Sequence, residues 1–246
     1  MFPLRDHNPS NRTPYVTYAL IAINVAVFLS YWPLFSDPQE VDLFFTRWGL
    51  VPAAITEGYQ AGGVVTSMFL HGGLLHLGGN MLFLWIFGDN LEDEMGHAGF
   101  ALFYLACGIA AGLGQYLADP LSMVPMVGAS GAIAGVMGGY LLMFPKARVD
   151  ILFVFLVFFK VIPIPAWLML GAWFGLQLLA GAGTTGAEDG IAYWAHSGGF
   201  AAGLLLALPL WRRRGGAAYW ARTHGQPPHP EVSYRTTTIP TVRRRR

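Results

Sequence analysis

Charge and cysteine are what this chain has least of. Asp, Glu, Lys and Arg make up 12% of its 246 residues, about half the share found in soluble domains. The single cysteine, Cys107, lies inside an apolar run, which excludes a disulfide framework and reads as a small buried side chain. Asp and Glu are missing from the middle of every long apolar stretch, so no carboxylate is at hand there to complete a catalytic triad. A secretory cleavage site is missing as well: residues 1–13 are polar, carry Arg5 and Arg12, and lead into the first apolar stretch with no small-residue processing signal. The net charge of +1 hides an asymmetry, because arginines crowd at Arg212 to Arg214 and Arg243 to Arg246 while acids collect in loops.

What the chain has is apolar surface: 54% hydrophobic residues, 31 glycines and 8 tryptophans. That composition predicts an integral membrane protein with an all-α core, since lone helices satisfy their own backbone in lipid and glycine is frequent in membrane helices. Six stretches are long enough to cross or nearly cross, given that about 20 residues span a bilayer: 14–32, 67–88, 97–117, 128–144, 166–180 and 191–210. The boundary before 166 is set by Pro163 and Pro165, which break a helix and leave 149–165 as an apolar interfacial loop. The expected organisation is a cytoplasmic leader (1–13), a polytopic six-helix membrane domain (14–212) and a basic, disordered cytoplasmic tail (213–246).

Loop charges orient the bundle. Lys146, Arg148, Lys160, the leader and the segment after the sixth span hold nearly all the cations, whereas the loops at 118–127 and 181–190 hold none. By the positive-inside rule both termini are cytoplasmic, and the expected location is the plasma (inner) membrane of a prokaryote. One inner loop departs from the pattern, the acidic 89–97 with Asp89, Glu92, Asp93 and Glu94.

In this topology the second, fourth and sixth spans run in the same direction, and each begins with its polar residues: His76 and Asn80, Ser130, and His196. Counted up from the inner anchors at about 1.5 Å per residue, His76, Ser130 and His196 share one depth several ångströms below the outer surface, with Asn80 a turn deeper. Polar groups at one level in a membrane are expected to face a common cavity. Ser130 sits between Gly128 and Gly131 at a helix start, where free N–H groups suit an oxyanion. Serine and histidine together make a minimal nucleophile and base. His76 and Asn80, four apart on one helix face, are candidate oxyanion donors.

Structural readings stand beside these. A membrane serine commonly bonds its own helix. His71, five residues before His76, points elsewhere and reads as an interfacial helix-to-helix hydrogen bond. A zinc site from His71, His76 and His196 has suitable ligand types, but no carboxylate or thiol accompanies them, so neither metal nor cofactor is expected. Gly199 and Gly203 continue the His196 face as a close-packing stripe, opposite Ser130, Ala134 and Gly138 on the fourth span.

Three motifs carry a resemblance. Gly128-Ala129-Ser130-Gly131, Ala195-His196-Ser197-Gly198-Gly199 with Gly203, and His71, His76 and Asn80 resemble the GxSG, AHxxGxxxG and HxxxxHxxxN motifs of the rhomboid intramembrane serine proteases. The resemblance covers about residues 12–212. It implies a rhomboid-like six-helix bundle with Ser130 as nucleophile, His196 as base, and His76 and Asn80 as oxyanion helpers. It also implies that the chain cuts transmembrane segments of other membrane proteins, with the bilayer as its second partner and nucleic acid as none. The alternative on the same fold is a non-catalytic binder of transmembrane clients. A transporter ranks third, because the polar residues stop in the outer half. Two positions depart from the family: Gly62-Gly63 stands where many members carry a Trp-Arg pair in the first loop, and Ala134 where some place an aromatic that stacks on the histidine.

Overall fold

The computed structural model describes residues 2–155, 158–183 and 191–226; the loop at 184–190 and the tail from 227 onward lie outside the described residues. The protein is a helical membrane bundle. Its helices are α1 (Tyr15–Tyr31), α2 (Pro38–Trp48), α3 (Pro52–Thr56), α4 (Gly63–Thr66), α5 (Leu74–Met95), α6 (His97–Ala118), α7 (Ser130–Met143), α8 (Ala166–Gly183), α9 (Tyr193–Arg213) and α10 (Ala217–Thr223). The six expected spans correspond to α1 and α5 to α9.

Three of these are long and apolar enough to cross a membrane alone: α1 with the turn that extends it to Ser36, α6, and α8. The second expected span is broken rather than straight. Residues Gly63–Phe69 meet α5 at a 92° bend, because the His71 backbone is taken out of any helix by the Tyr31 hydroxyl, which accepts from its N–H at 2.7 Å and donates to its carbonyl at 3.0 Å. Helix α7, at 14 residues, is about 21 Å long, so in a hydrocarbon core of about 30 Å its first residue lies well inside the membrane. It is also the central helix, with Ala132, Ala134, Val136 and Tyr140 almost wholly covered.

Residues 149–155 and 158–165 form paired β-strands rather than a loop. Strand β1 (Phe2–Asp6), β2 (Arg148–Phe155) and β3 (Phe158–Pro165) make an antiparallel sheet in that order. Val149 and Ile151, paired with Ile164 and Ile162, turn to the core. Pro163 and Pro165 lie two apart on the edge strand, so their missing donors fall on one side, away from β2. On the other face Asp150 receives Arg5 at 2.9 Å and His7 at 2.8 Å, and the Arg5 guanidinium holds its carboxyl below the usual carboxylate range.

The leader and tail are likewise built in where they are described. Besides β1, the acidic end of α5 binds the start of the chain. Both Glu92 carboxylate oxygens accept the first backbone N–H groups of α1, at Val16 and Thr17, each at 2.8 Å; these donors have no partner within their own helix. Asp93 accepts from the Asn11 backbone at 2.9 Å. In the tail α10 buries Tyr219, and Trp220 donates to the Leu142 carbonyl at 3.0 Å.

Candidate active site

Backbone geometry at Gly128 starts the site. Its φ of 132° is a conformation side chains rarely adopt, and a Cβ there would sit 2.8 Å from His76 Nε2. Its N–H donates to the Ser67 carbonyl at 2.9 Å, which ties this turn to the bent segment before α5. The chain then enters α7 with Ser130 as its first helical residue. Helices α7 and α9 run in contact, and a Cβ at Gly199 would overlap the Gly131 carbonyl, one at Gly203 that of Gly135, and one at Gly138 that of Phe200. The small residues of α7 that meet α9 are therefore Gly131, Gly135 and Gly138. The expected row of Ser130, Ala134 and Gly138 is offset by one residue at its first two positions.

This seam brings His196, in the first turn of α9, to Ser130. His196 Nε2 lies 2.8 Å from Ser130 Oγ, and Nδ1 lies 2.8 Å from Gln177 Oε1 on α8. His76 Nδ1 accepts the Gly72 N–H at 3.2 Å, so in a neutral imidazole Nε2 carries the proton and donates beside Gly128. Asn80 Nδ2 is buried with no protein partner. Ser130, His196, His76 and Asn80 line one cavity of about 500 Å³, with Met68, Gly108 and Met137 among its apolar walls. A reacting carbonyl placed there meets a hydroxyl with an adjacent base, two side-chain donors and the free N–H groups at the start of α7. Among the described residues no three of His, Cys, Asp and Glu gather to hold a metal ion.

The sequence expectation for these four residues and the structure place them together. His71 is different. It is wholly buried rather than interfacial, and instead of pointing away it meets His76 ring to ring at 5.1 Å, because it lies on the bend and not on the helix. The residues that sequence reasoning missed are Gln177 and Trp173. Trp173 places its ring 5.7 Å from that of His196, tilted 37°, so the aromatic absent at Ala134 is supplied from α8. The overlooked signal was one amide in an otherwise apolar span. Gly62-Gly63 has a physical counterpart as well: Gly63 is buried where a Cβ would overlap the Gly49 carbonyl, so backbone contact holds the first loop. The next residue, Leu50, pairs with Met126 through two backbone hydrogen bonds of 2.8 and 3.0 Å.

Comparison with known proteins adds three relatives and a family model. The Rhomboid domain model matches residues 59–213. Rhomboid protein 1, mitochondrial, of Saccharomyces cerevisiae is 33% identical over 196 residues, covering 77% of this chain and 51% of its own. The putative rhomboid protease YdcA of Bacillus subtilis is 42% identical over 80 residues, 32% of this chain and 40% of its own. Rhomboid-like protein 11, chloroplastic, of Arabidopsis thaliana is 32% identical over 132 residues, 53% of this chain and 43% of its own. The chain spans about half the length of these relatives, and they are spread over a mitochondrial, a bacterial and a chloroplast protein. The expectation of a prokaryotic plasma membrane gains no support from them.

Proposed function

The chain belongs to the rhomboid family, and from that premise we propose that it is an intramembrane serine endopeptidase acting on transmembrane segments of other membrane proteins. The observation that carries the reading is the 2.8 Å pairing of His196 Nε2 with Ser130 Oγ at the wall of a cavity. In the proposed reaction Oγ attacks the scissile carbonyl carbon while its proton passes to Nε2. The carbonyl oxygen becomes an oxyanion facing His76, Asn80 and the α7 N-terminus. Collapse breaks the C–N bond, and His196 gives the same proton to the leaving amine. Water then repeats the sequence on the acyl-enzyme, which restores Ser130. Cleavage needs a substrate helix that unwinds locally, because only an unpaired carbonyl can reach Oγ. Both termini are proposed to lie on the cytoplasmic side, with the cavity opening towards the opposite face.

The test is reaction with a fluorophosphonate probe followed by peptide mapping. Label is expected on Ser130 in the wild type and none in a folded His196→Ala variant, because the hydroxyl alone is a poor nucleophile. Label elsewhere, or unchanged label without the histidine, overturns the dyad. Asn80→Ala is expected to lower turnover by roughly 100- to 1000-fold, the usual cost of one oxyanion donor, while Ser130 stays in place; wild-type turnover would return Asn80 to packing.

A further inference from the structure

Resting on that reading of Ser130 and His196, we propose that Gln177 is a positioning residue for the reaction, holding His196 in the one tautomer and ring orientation that leave Nε2 free for the serine proton. His196 sits between two partners at equal distance, Ser130 Oγ and Gln177 Oε1, each 2.8 Å away on opposite ring nitrogens. An amide oxygen only accepts, so Nδ1 must carry the hydrogen, and a neutral imidazole with hydrogen on Nδ1 has its lone pair on Nε2. The ring is therefore oriented for base action before any substrate arrives.

The arrangement is built rather than incidental. Gln177 and Trp173 are four apart on α8 and share one face, and both meet the same imidazole, the amide at Nδ1 and the indole ring 5.7 Å away, tilted 37°. Between these two residues and one turn beyond Gln177, α8 is pinned to α9. Phe174 stacks on Phe200 at 4.4 Å and 13°, and a Cβ at Gly181 would lie 3.2 Å from the Trp194 ring. These contacts set the height of Gln177 along α9.

Charge explains why an amide serves where a carboxylate is familiar in soluble hydrolases. An ionised acid would lie unpaired in a membrane cavity whenever His196 is neutral, which is costly. Gln177 meets the geometric need without that charge. During the reaction the Ser130 proton arrives at Nε2 and leaves on the amine, while the Nδ1 hydrogen stays on Nδ1, hydrogen-bonded to Gln177 Oε1, so Gln177 neither gains nor loses a proton.

The experiment compares wild type with Gln177→Leu, which keeps the bulk and removes the acceptor, and Gln177→Glu, which restores an acceptor oxygen at the same reach. Thermal unfolding in detergent checks that all three are folded. Cleavage of a model transmembrane substrate should show kcat reduced roughly 10- to 100-fold in Gln177→Leu, part of what general-base action supplies, with KM unchanged and with kcat recovered in Gln177→Glu. The 15N spectrum of histidine-labelled protein, with His196→Ala used to assign the signal, should show one Nδ1–H tautomer in wild type and a mixture in Gln177→Leu. A single unchanged tautomer in Gln177→Leu, or wild-type kcat there, overturns the inference. The tautomer is read without turnover, so it tests Gln177 even if the probe fails to label Ser130, a result that would count against the protease reading instead.

Discussion

Helices α7 and α8 are both apolar and both rich in glycine, yet they sit in the molecule in opposite ways. Eleven of the 14 residues of α7 are buried, and Gly131, Gly135 and Gly138 are places where the α9 backbone lies against it. In α8 the buried residues are Ala166, Leu170 and Gly181, and a Cβ at Gly171 or Gly175 would meet nothing within 4 Å. The same residue type is a close contact along α7 and, at Gly171 and Gly175, open space along α8. The two helices therefore serve the site differently: the tight seam of α7 and α9 sets the distance between Ser130 and His196, while the more exposed α8, held to α9 through Phe174 and Gly181, reaches in with the side chains that orient the ring.

The sharpest way to break this contrast is Gly203→Leu. Its side chain has no room against Gly135, and overpacking that displaces a backbone costs upwards of about 1–3 kcal/mol; the expected outcome is loss of the folded fraction in detergent, seen by gel filtration and thermal unfolding. Wild-type unfolding would show that the seam is not rigid. Next is Gly199→Ala, whose single methyl presses on Gly131, the neighbour of Ser130. A misplacement of about 1 Å can cost 100-fold in rate, so cleavage is expected to fall by about that factor while most of the protein stays folded, and an unchanged rate would separate the glycine stripe from the dyad distance.

The far end of α7 supplies a pH test. Burial pushes the Asp6 carboxyl up to about 7, with a nearby Asp89 acting in the same direction and the hydrogen bond from Tyr140 Oη, at 2.7 Å, opposing it. A folded state that holds this proton more tightly than the unfolded chain is favoured at low pH, so this contribution to stability is full below about pH 4 and is lost as pH rises towards 7. Melting temperature should fall between pH 5 and pH 8, and Asp6→Asn should flatten that slope; an equal slope in the variant would remove Asp6 from the account. The smallest effect is expected at Gly175→Ala, where open space lets alanine help. Its higher helix propensity is worth about 0.5–1 kcal/mol, roughly 1–4 °C in melting temperature, upward where Gly199→Ala goes downward. A drop at Gly175 would mean that α8 packs more closely than its open glycines imply.

Several parts of this arrangement were legible from local pattern. The prolines at 163 and 165 correctly ended one element, but a break in helix is also the mark of an edge strand, and the register of β2 with β3 was needed to tell the two apart. The acids at 89–94 looked like an exception to the charge rule; Glu92 and Asp93 are the acceptors for the first turn of α1 and for Asn11, partners some 75 to 82 positions away. Residues 217–223, Ala-Ala-Tyr-Trp-Ala-Arg-Thr, sit among the glycines, prolines and arginines that read as a basic tail, and they take structure through the burial of Tyr219 and the bond from Trp220 to the Leu142 carbonyl.

By itself the sequence determined the membrane class, the helical spans and the identity of the polar groups at their starts, because hydropathy and helix period act over neighbouring residues and the bilayer fixes a common depth. Only the tertiary structure decided which glycine faces which carbonyl, that His71 leaves the helix, and that the imidazole of His196 finds its second partner on α8. Those are matters of rotation about helix axes and of angles between helices. A turn of one residue rotates a side chain by about 100°, and that rotation is set by the packing of the whole bundle rather than by any stretch within it.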